Sequence, residues 1–249
     1  MSHCLQTQCA GSAKPERAHQ KVPCRCLSLR PGPRHPDPYR FSRRPSMRLT
    51  SNSIENGKPI AVEFAAGTPD GFAPNRNPHL AWSEVPTGTQ SFALLCLDPD
   101  VPTVPDTVGR DDLQIPVEQP RTDFVHWAMA DISADVHEIA AGSCSDGFVV
   151  KGKQQPPGPA GARQGLNSYT QWFAGNADMA GDYRGYDGPY PPFNDLRMHR
   201  YFFRVFALDV AKLSLPDRFT AADVLSAIQG HVLAEAALHG TYTLNPALR

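Results

Sequence analysis

The sequence lacks the features that identify membrane-spanning, nucleic-acid-binding and several common catalytic proteins. None of its apolar runs approaches the ~18 residues of a transmembrane helix, so we predict no membrane span. The formal net charge is −1, without the basic excess of a nucleic-acid-binding domain. A Gly-x-Ser-x-Gly elbow, a His-Glu-x-x-His zinc motif and a complete P-loop are all missing. We therefore predict no catalytic residues, no metal, no cofactor and no nucleic-acid partner.

The first 46 residues differ in composition from the rest of the 249-residue chain. They contain nine Lys or Arg but only two Asp or Glu, together with seven prolines and few branched aliphatic residues. Such a segment buries too little apolar surface to offset the entropy lost on ordering. We predict that residues 1–46 are a disordered leader, or that the start is mis-assigned and the protein begins at Met47. A single domain follows over residues 47–249.

Cysteine is scarce after that leader. Only Cys96 and Cys144 remain, and Cys96 lies in an apolar run that is typical of a buried strand. The leader also lacks the apolar segment of a secretory signal peptide. Few cysteines and no secretory signal favour a reducing compartment, so we predict a cytoplasmic protein. A disulfide between the two cysteines has no support in the sequence.

Short apolar runs between Pro- and Gly-rich loops predict a mainly β (α+β) fold. Predicted strands cover residues 60–65, 91–97, 124–132 and 199–209. Thr220 and Asp223 predict a helix that starts with a capping box, continues at helical spacing to Ala237 and ends at Gly240. Few helices separate the strands, so an antiparallel sheet is favoured over a doubly wound parallel sheet.

Polar residues at the ends of these strands form the candidate site. Asp98 and Asp100 are two residues apart and therefore project from the same side of an extended backbone. His126 lies in the next strand, and His199 and Tyr201 share one face of the last one. Polar groups at the mouth of an apolar strand face suit a small anion pocket. A strand-end histidine is more often structural, however, and Asp-Pro-Asp is commonly only a turn.

Several motifs occur in a fixed order along residues 47–249. They are Asn77-Pro-His-Leu-Ala-Trp82, Phe92 to Asp98-Pro-Asp-Val-Pro102, His126-Trp127, Gly188-Pro-Tyr-Pro-Pro192 and His199-Arg-Tyr201. Together they resemble the phosphatidylethanolamine-binding protein family, and most of all its bacterial Raf-kinase-inhibitor-like branch. The segment that begins at Met47 also resembles the usual start of bacterial members.

The resemblance implies a central antiparallel sheet packed against a smaller sheet, with peripheral helices. It also implies a pocket that accepts phosphate-like groups, including phospholipid headgroups. The residues implied for that pocket are Asp98, Asp100, Pro102, His126, Pro191, His199 and Tyr201, with Trp82 and Tyr186 nearby. Tyr190 is larger than its counterpart in many members, which predicts a narrower pocket. The loops 103–123 and 151–185 are expanded and end near the pocket motifs.

Two functions remain open at this point. The first is a non-enzymatic binding protein for a small anionic ligand, in which both imidazoles contact the anion and an aspartate orients one of them. Its mouth could also contact a partner protein, such as a kinase or a protease, and a homodimer is left open. The alternative is a metal-assisted phosphate-ester hydrolase that uses the same Asp and His cluster.

Overall fold

A five-stranded antiparallel sheet forms the centre of the domain in the computed structural model, which describes residues 47–249. In chain order, the strands are β1 (Arg48–Thr50), β2 (Gly67–Thr68), β3 (Gly71–Phe72), β4 (Leu80–Ser83), β5 (Ser91–Pro102), β6 (Arg121–Ser133), β7 (Glu138–Ile139), β8 (Arg163–Gln164), β9 (His199–Leu208) and β10 (Val232–Tyr242). The central sheet has the order β10-β9-β5-β6-β8, and a smaller sheet has the order β1-β4-β7. The predicted mainly β, antiparallel fold is confirmed.

Helices contribute little of the chain. There are two short α-helices among residues 47–249, α1 (Tyr169–Trp172) and α2 (Ala221–Ala227). Three 3-10 turns lie elsewhere in the chain, at Val62–Phe64, Pro105–Thr107 and Pro246–Leu248. The predicted capping box of α2 is present, because the Thr220 side chain accepts from the Asp223 amide and Asp223 accepts from the Thr220 amide. Within residues 47–249, no helix is both long and apolar enough to cross a bilayer.

Alternating side chains of β5 separate two hydrophobic cores, one on each face of the central sheet. Phe92 and Leu94 belong to the core that also contains Leu80 of the smaller sheet. Ala93 and Leu95 point the other way, into the core that holds the apolar face of α2. Both faces of β5 are buried, which explains why its sequence is a continuous apolar run rather than an alternating one.

The predicted helix over residues 220–240 is wrong for its second half. The α2 helix ends at Ala227, Gly230 adopts a φ of +82°, and residues 232–242 form strand β10. Glycine adopts that backbone region without the steric cost that other residues have. Buried positions in β10 then recur every two residues, at Ala234, Ala236 and Leu238, and the strand pairs along the whole of β9.

Other local predictions also differ from the structure. Residues 60–65 contain a 3-10 turn instead of a strand. The hairpin β2–β3 lies in a segment for which no strand is predicted, and β8 lies within the predicted loop 151–185. The predicted strands over 91–97, 124–132 and 199–209 are confirmed. Strands β5 and β6 extend beyond the predicted bounds, whereas β9 ends one residue earlier, at Leu208. The predictions for residues 1–46 lie outside the described residues.

Candidate functional site

The candidate site lies where β5 and β9 stop pairing. The two strands are in register from Ser91–Leu208 to Leu97–Phe202, while β5 continues along β6 as far as Pro102. Beyond Leu97 the space between the strands opens into a cavity of about 320 Å³. Asp98 lies directly after Leu97, the last residue of β5 that pairs with β9. His199 and Tyr201 lie at the start of β9.

Five of the residues predicted for the site line this cavity, namely Asp98, His126, Pro191, His199 and Tyr201. The rest of the wall is largely aromatic. Phe124 precedes His126 by two residues on β6 and therefore faces the same side, with the two ring centroids 5.0 Å apart. Tyr169 and Trp172 come from α1, and Tyr190 precedes Pro191. The polar groups therefore lie within a mostly apolar pocket.

His199 is held between two carboxylates. Its Nδ1 lies 2.6 Å from Oδ2 of Asp98, and its Nε2 lies 3.1 Å from Oδ2 of Asp195. Burial opposes charge on the imidazole, but the hydrogen bonds to Asp195 and then Asp98 outweigh burial and raise the pKa of His199 to about 9. Both ring nitrogens are therefore already used. This differs from the expectation that both imidazoles contact the anion directly.

Asp195 is fixed in turn by Arg121. The guanidinium donates to both carboxylate oxygens, and both side chains are buried. Burial acts against ionisation of Asp195, but the hydrogen bonds from His199 and Arg121 overcome it and lower the pKa of this carboxyl. The chain of Asp98, His199, Asp195 and Arg121 thus alternates in charge beneath the cavity.

His126 is in a different electrostatic environment. Its Nδ1 lies 2.7 Å from the backbone oxygen of Asp187. A carbonyl only accepts hydrogen bonds, so Nδ1 carries a proton and is the donor. Burial lowers the pKa of His126, and the negative charge of Asp98 offsets that effect only in part. His126 is therefore neutral at neutral pH, unlike His199.

Tyr201 presents an unpartnered donor to the cavity. The residue is 1% exposed, and its buried hydroxyl has no hydrogen-bond partner among residues 47–249. Burial, followed by the charge of Asp98, raises the pKa of Tyr201 well above its usual range, so the phenol keeps its proton. Buried hydroxyls are normally hydrogen-bonded, so this one is free to donate to an acceptor that enters the cavity.

Asp100 and Pro102 lie outside the cavity wall. The Asp100 carboxylate accepts from the side chain and the backbone amide of Arg200, and Arg197 lies 3.3 Å away. Its backbone oxygen accepts from Arg121. Asp100 therefore anchors the start of β9 and the loop that precedes it. Of the two aspartates, Asp98 alone lines the cavity. Pro102 is buried at the end of β5.

Trp82 and Tyr186, also predicted near the pocket, are buried in the core between the two sheets. The Trp82 ring packs edge-on against Phe92 at 5.3 Å. The Tyr186 ring packs edge-on against Trp127 at 5.3 Å, and its hydroxyl donates to the Phe64 backbone oxygen at 2.6 Å. Neither side chain lines the cavity.

Sequence reasoning missed two groups of site residues. Asp195 was not predicted, although a carboxylate four residues before His199 is a signal that could have suggested it. The aromatic wall was also missed, and Phe124 could have been found from its two-residue spacing to His126. Tyr169 and Trp172 lie in the expanded loop 151–185, where the sequence has no regular pattern that predicts their position.

Metal binding gains no geometric support from the described residues. Among residues 47–249, no group of three or more His, Cys, Asp or Glu is arranged to hold a metal ion. Asp98, His199 and Asp195 do lie together, but each carboxylate is hydrogen-bonded to a ring nitrogen of His199. Neither ring nitrogen is therefore free to bind a metal ion.

Known proteins match most of the described domain. A family model described as phosphatidylethanolamine-binding protein matches residues 50–243. A UPF0098 protein of Aquifex aeolicus is 32% identical over 196 residues, which cover 79% of this chain and 88% of that protein.

Two crystal structures have a similar fold. YbcL of Escherichia coli, described as a new member of the mammalian PEBP family, is 26% identical with a TM-score of 0.60, over 80% of this chain and 98% of YbcL. A PEBP homologue from Chlamydia trachomatis is 31% identical with a TM-score of 0.54, over 80% of this chain and 97% of the homologue.

Proposed function

This chain belongs to the phosphatidylethanolamine-binding protein family, and from that premise we propose that its cavity binds a small phosphate-like anion without catalysing a reaction. The observation that carries the proposal is the buried, unpartnered hydroxyl of Tyr201 in the cavity wall. An unsatisfied buried donor costs about 1–3 kcal/mol, which an anionic oxygen would recover by accepting from it.

The surrounding charges support an anion at this position. Asp98 is the carboxylate in the wall, and the raised pKa of His199 keeps an imidazolium beside it at neutral pH. This imidazolium reduces the repulsion between Asp98 and an entering anion, although it is shared with Asp195. Apolar side chains such as Phe124 exclude water and so strengthen the remaining hydrogen bonds.

Calorimetric titration of the full chain with phosphate and with phosphoethanolamine tests the proposal. Tyr201→Phe should weaken binding about ten- to 150-fold, since a hydrogen bond to a charged group contributes about 1.5–3 kcal/mol. Tyr183→Phe is the matched control, because that buried tyrosine donates to the Met179 backbone and does not line the cavity. Failure of both anions to bind, or unchanged affinity in Tyr201→Phe, would contradict the proposal.

Contact with a partner protein is a second part of the proposal, supported by the mouth of the cavity. Trp172 and Phe193 line it and are 44% and 39% exposed. A kinase, a protease or a second copy of this chain would cover these rings on binding. Light scattering distinguishes a homodimer from a monomer. In a separate binding experiment, Trp172→Ser should reduce capture of a partner protein, and it should change the phosphate affinity by no more than a few-fold.

The hydrolase alternative is not favoured by any observation in the described residues. A cytoplasmic location stays a prediction, and it is compatible with the free, buried thiols of Cys96 and Cys144. Burial is the main cause that raises the pKa of both thiols, so neither is set up as a reactive thiolate.

A further inference from the structure

Two side chains present opposite hydrogen-bonding functions to the same cavity. The Tyr201 hydroxyl is a donor without a partner. The Nδ1 proton of His126 is committed to the backbone oxygen of Asp187, so in the neutral ring Nε2 is an acceptor. Nδ1 is the ring nitrogen that is hydrogen-bonded to the backbone, and the His126 and Tyr201 rings pack edge-on in the cavity wall with centroids 5.1 Å apart. A ligand that satisfies both groups must accept one hydrogen bond and donate another.

The protonation state of His126 follows from the groups around it. These groups are Asp98 on β5, His199 and Tyr201 on β9, Tyr169 on α1, and the backbone oxygens of Asp187 and Gly188. Asp98 favours the imidazolium, whereas the charged His199 opposes it. The phenols are neutral. Burial has the largest effect and favours the uncharged ring, so the acceptor form of Nε2 predominates at neutral pH.

We infer that the anion site proposed above selects oxyacids that keep an acidic hydroxyl, such as a phosphate monoester monoanion, over anions of the same charge that have none. The P–OH group donates to Nε2 of His126, and a phosphoryl oxygen accepts from the Tyr201 hydroxyl. A sulfate ester or a phosphodiester would instead place an oxygen lone pair against the lone pair of Nε2. The inference rests on the proposed function and adds a preference among its ligands.

The aromatic wall suggests a matched pair of probes. Phenyl phosphate and phenyl sulfate have the same ring and almost the same shape, and the ring suits a wall that includes Phe124, Trp172 and Tyr190. At pH 6 about half of the phosphate ester is a monoanion, since its second pKa is about 6. That monoanion and the sulfate ester carry the same charge and differ in one hydroxyl proton.

Calorimetric titrations of the full chain at pH 6 should show phenyl phosphate binding about 10- to 100-fold more tightly than phenyl sulfate, because the sulfate has no proton to donate to Nε2 of His126. Between pH 6 and pH 8 the apparent affinity for the phosphate ester should fall by about 50-fold, because the monoanion decreases from about one half to about 1% of the ester. The sulfate affinity should change much less. Equal affinities at pH 6, or a phosphate affinity that rises with pH, would overturn the inference.

The two sources of a phosphate group are separated by a second pair of probes. Phosphoethanolamine is a monoester, and glycerophosphoethanolamine is the diester found in a lipid headgroup. The monoester should bind at least tenfold more tightly at pH 6. A diester that binds as tightly would overturn the inference and indicate a headgroup site.

Two variants separate the contribution of the acceptor, Nε2 of His126, from that of the donor, the Tyr201 hydroxyl. His126→Gln places an amide that can rotate to donate, so the ratio of phosphate to sulfate affinity should move towards one. Tyr201→Phe should weaken both esters by a similar factor and leave that ratio unchanged. The wild-type titrations test the inference even if a variant is unstable. Absence of binding by all four anions would overturn the proposed function as well, whereas indiscriminate binding overturns this inference alone.

Discussion

His199 and Asp98 form a buried ion pair in which Nδ1 lies 2.6 Å from Oδ2. The second ring nitrogen is bonded to Asp195, so an imidazolium lies between two carboxylates. The pKa of His199 is raised to about 9 from an ordinary value of about 6.5. The folded state therefore holds a proton over a pH range in which the unfolded chain has released it.

This proton predicts how stability depends on pH. The stabilisation is fully present below about pH 6.5 and is lost as the pH rises through the folded pKa near 9. The free energy of unfolding should fall by about 3 kcal/mol over that window. Urea denaturation at several pH values between 6 and 10 measures it.

A variant of His199 and a control variant test whether His199 causes the loss of stability at alkaline pH. His199→Gln should remove most of the decrease in the free energy of unfolding between pH 6.5 and pH 9. His231→Gln should leave it, because the His231 pair with Asp209 is about half exposed. Stability that stays constant or increases from pH 6.5 to 9 would show that His199 is not protonated in the fold.

His126 should act with the opposite sign. Its pKa is lowered in the fold, mainly by burial, so the unfolded chain takes up a proton first as the pH falls below about 6.5. Stability should therefore decrease from pH 6.5 towards pH 5. In the same denaturation series, His126→Gln should show a smaller decrease in the free energy of unfolding between pH 6.5 and pH 5 than the wild type. An unchanged decrease would show that His126 does not have a lowered pKa in the fold.

Arg121 should be essential for stability because it neutralises a buried carboxylate. Its side chain is 6% exposed and that of Asp195 is 1% exposed. Arg121→Met should lower the free energy of unfolding by about 3–5 kcal/mol, since it leaves a buried charge with one partner fewer. Arg110→Met is the matched control, because the Arg110 pair with Asp112 is largely exposed. A similar small effect in both variants would show that the buried pair is not needed.

Gly67 and Tyr190 should be coupled. A Cβ atom built on Gly67 would lie 2.2 Å from the Tyr190 ring, which forms part of the cavity wall. Gly67→Ala should therefore displace the ring and cost about 1–3 kcal/mol of stability. In a Tyr190→Ala background the same change should cost little, which a double-mutant cycle measures as a coupling energy. Gly175→Ala is the control, because nothing lies within 4 Å of its added Cβ. Additive effects would contradict direct contact.

The sequence predicted those parts of the fold whose pattern has only one compatible structure. The apolar run of β5 and the aromatic run of β9 are confirmed as strands. The segment after α2 is Ala-rich, and alanine fits helical and strand patterns equally well. There the pairing with β9 decides the structure, and a seven-residue helix followed by β10 replaces the predicted long helix. Pairing between distant segments has no local signature.

The same limit applies to the site. Motif order predicted Asp98, His126 and Tyr201, which the fold brings to one cavity. It could not separate the role of Asp98 from that of Asp100, because the two lie only two residues apart and both are buried. Their roles differ because their hydrogen-bond partners differ: Asp98 is bonded to His199, and Asp100 is bonded to Arg200.

That divergence gives a further prediction about anion affinity. Asp98 lines the cavity and repels an anion, whereas the charge of Asp100 is neutralised by Arg200 and Arg197 outside the wall. Asp98→Asn should strengthen phosphate binding by about tenfold at pH 6, where His199 stays protonated beside Asp195. Calorimetric titration measures this gain.

Asp100→Asn is the matched control for this experiment. It removes the same charge two residues along the strand, so its effect on phosphate affinity should stay within a few-fold, although the loss of two arginine contacts lowers stability. Circular dichroism establishes that both variants are folded before titration. If the two substitutions changed affinity equally, the charge of the whole region would govern binding, rather than a carboxylate in the cavity wall. Weaker binding in Asp98→Asn would mean that this carboxylate holds the ligand, or orients His199 for it, more than it repels the anion.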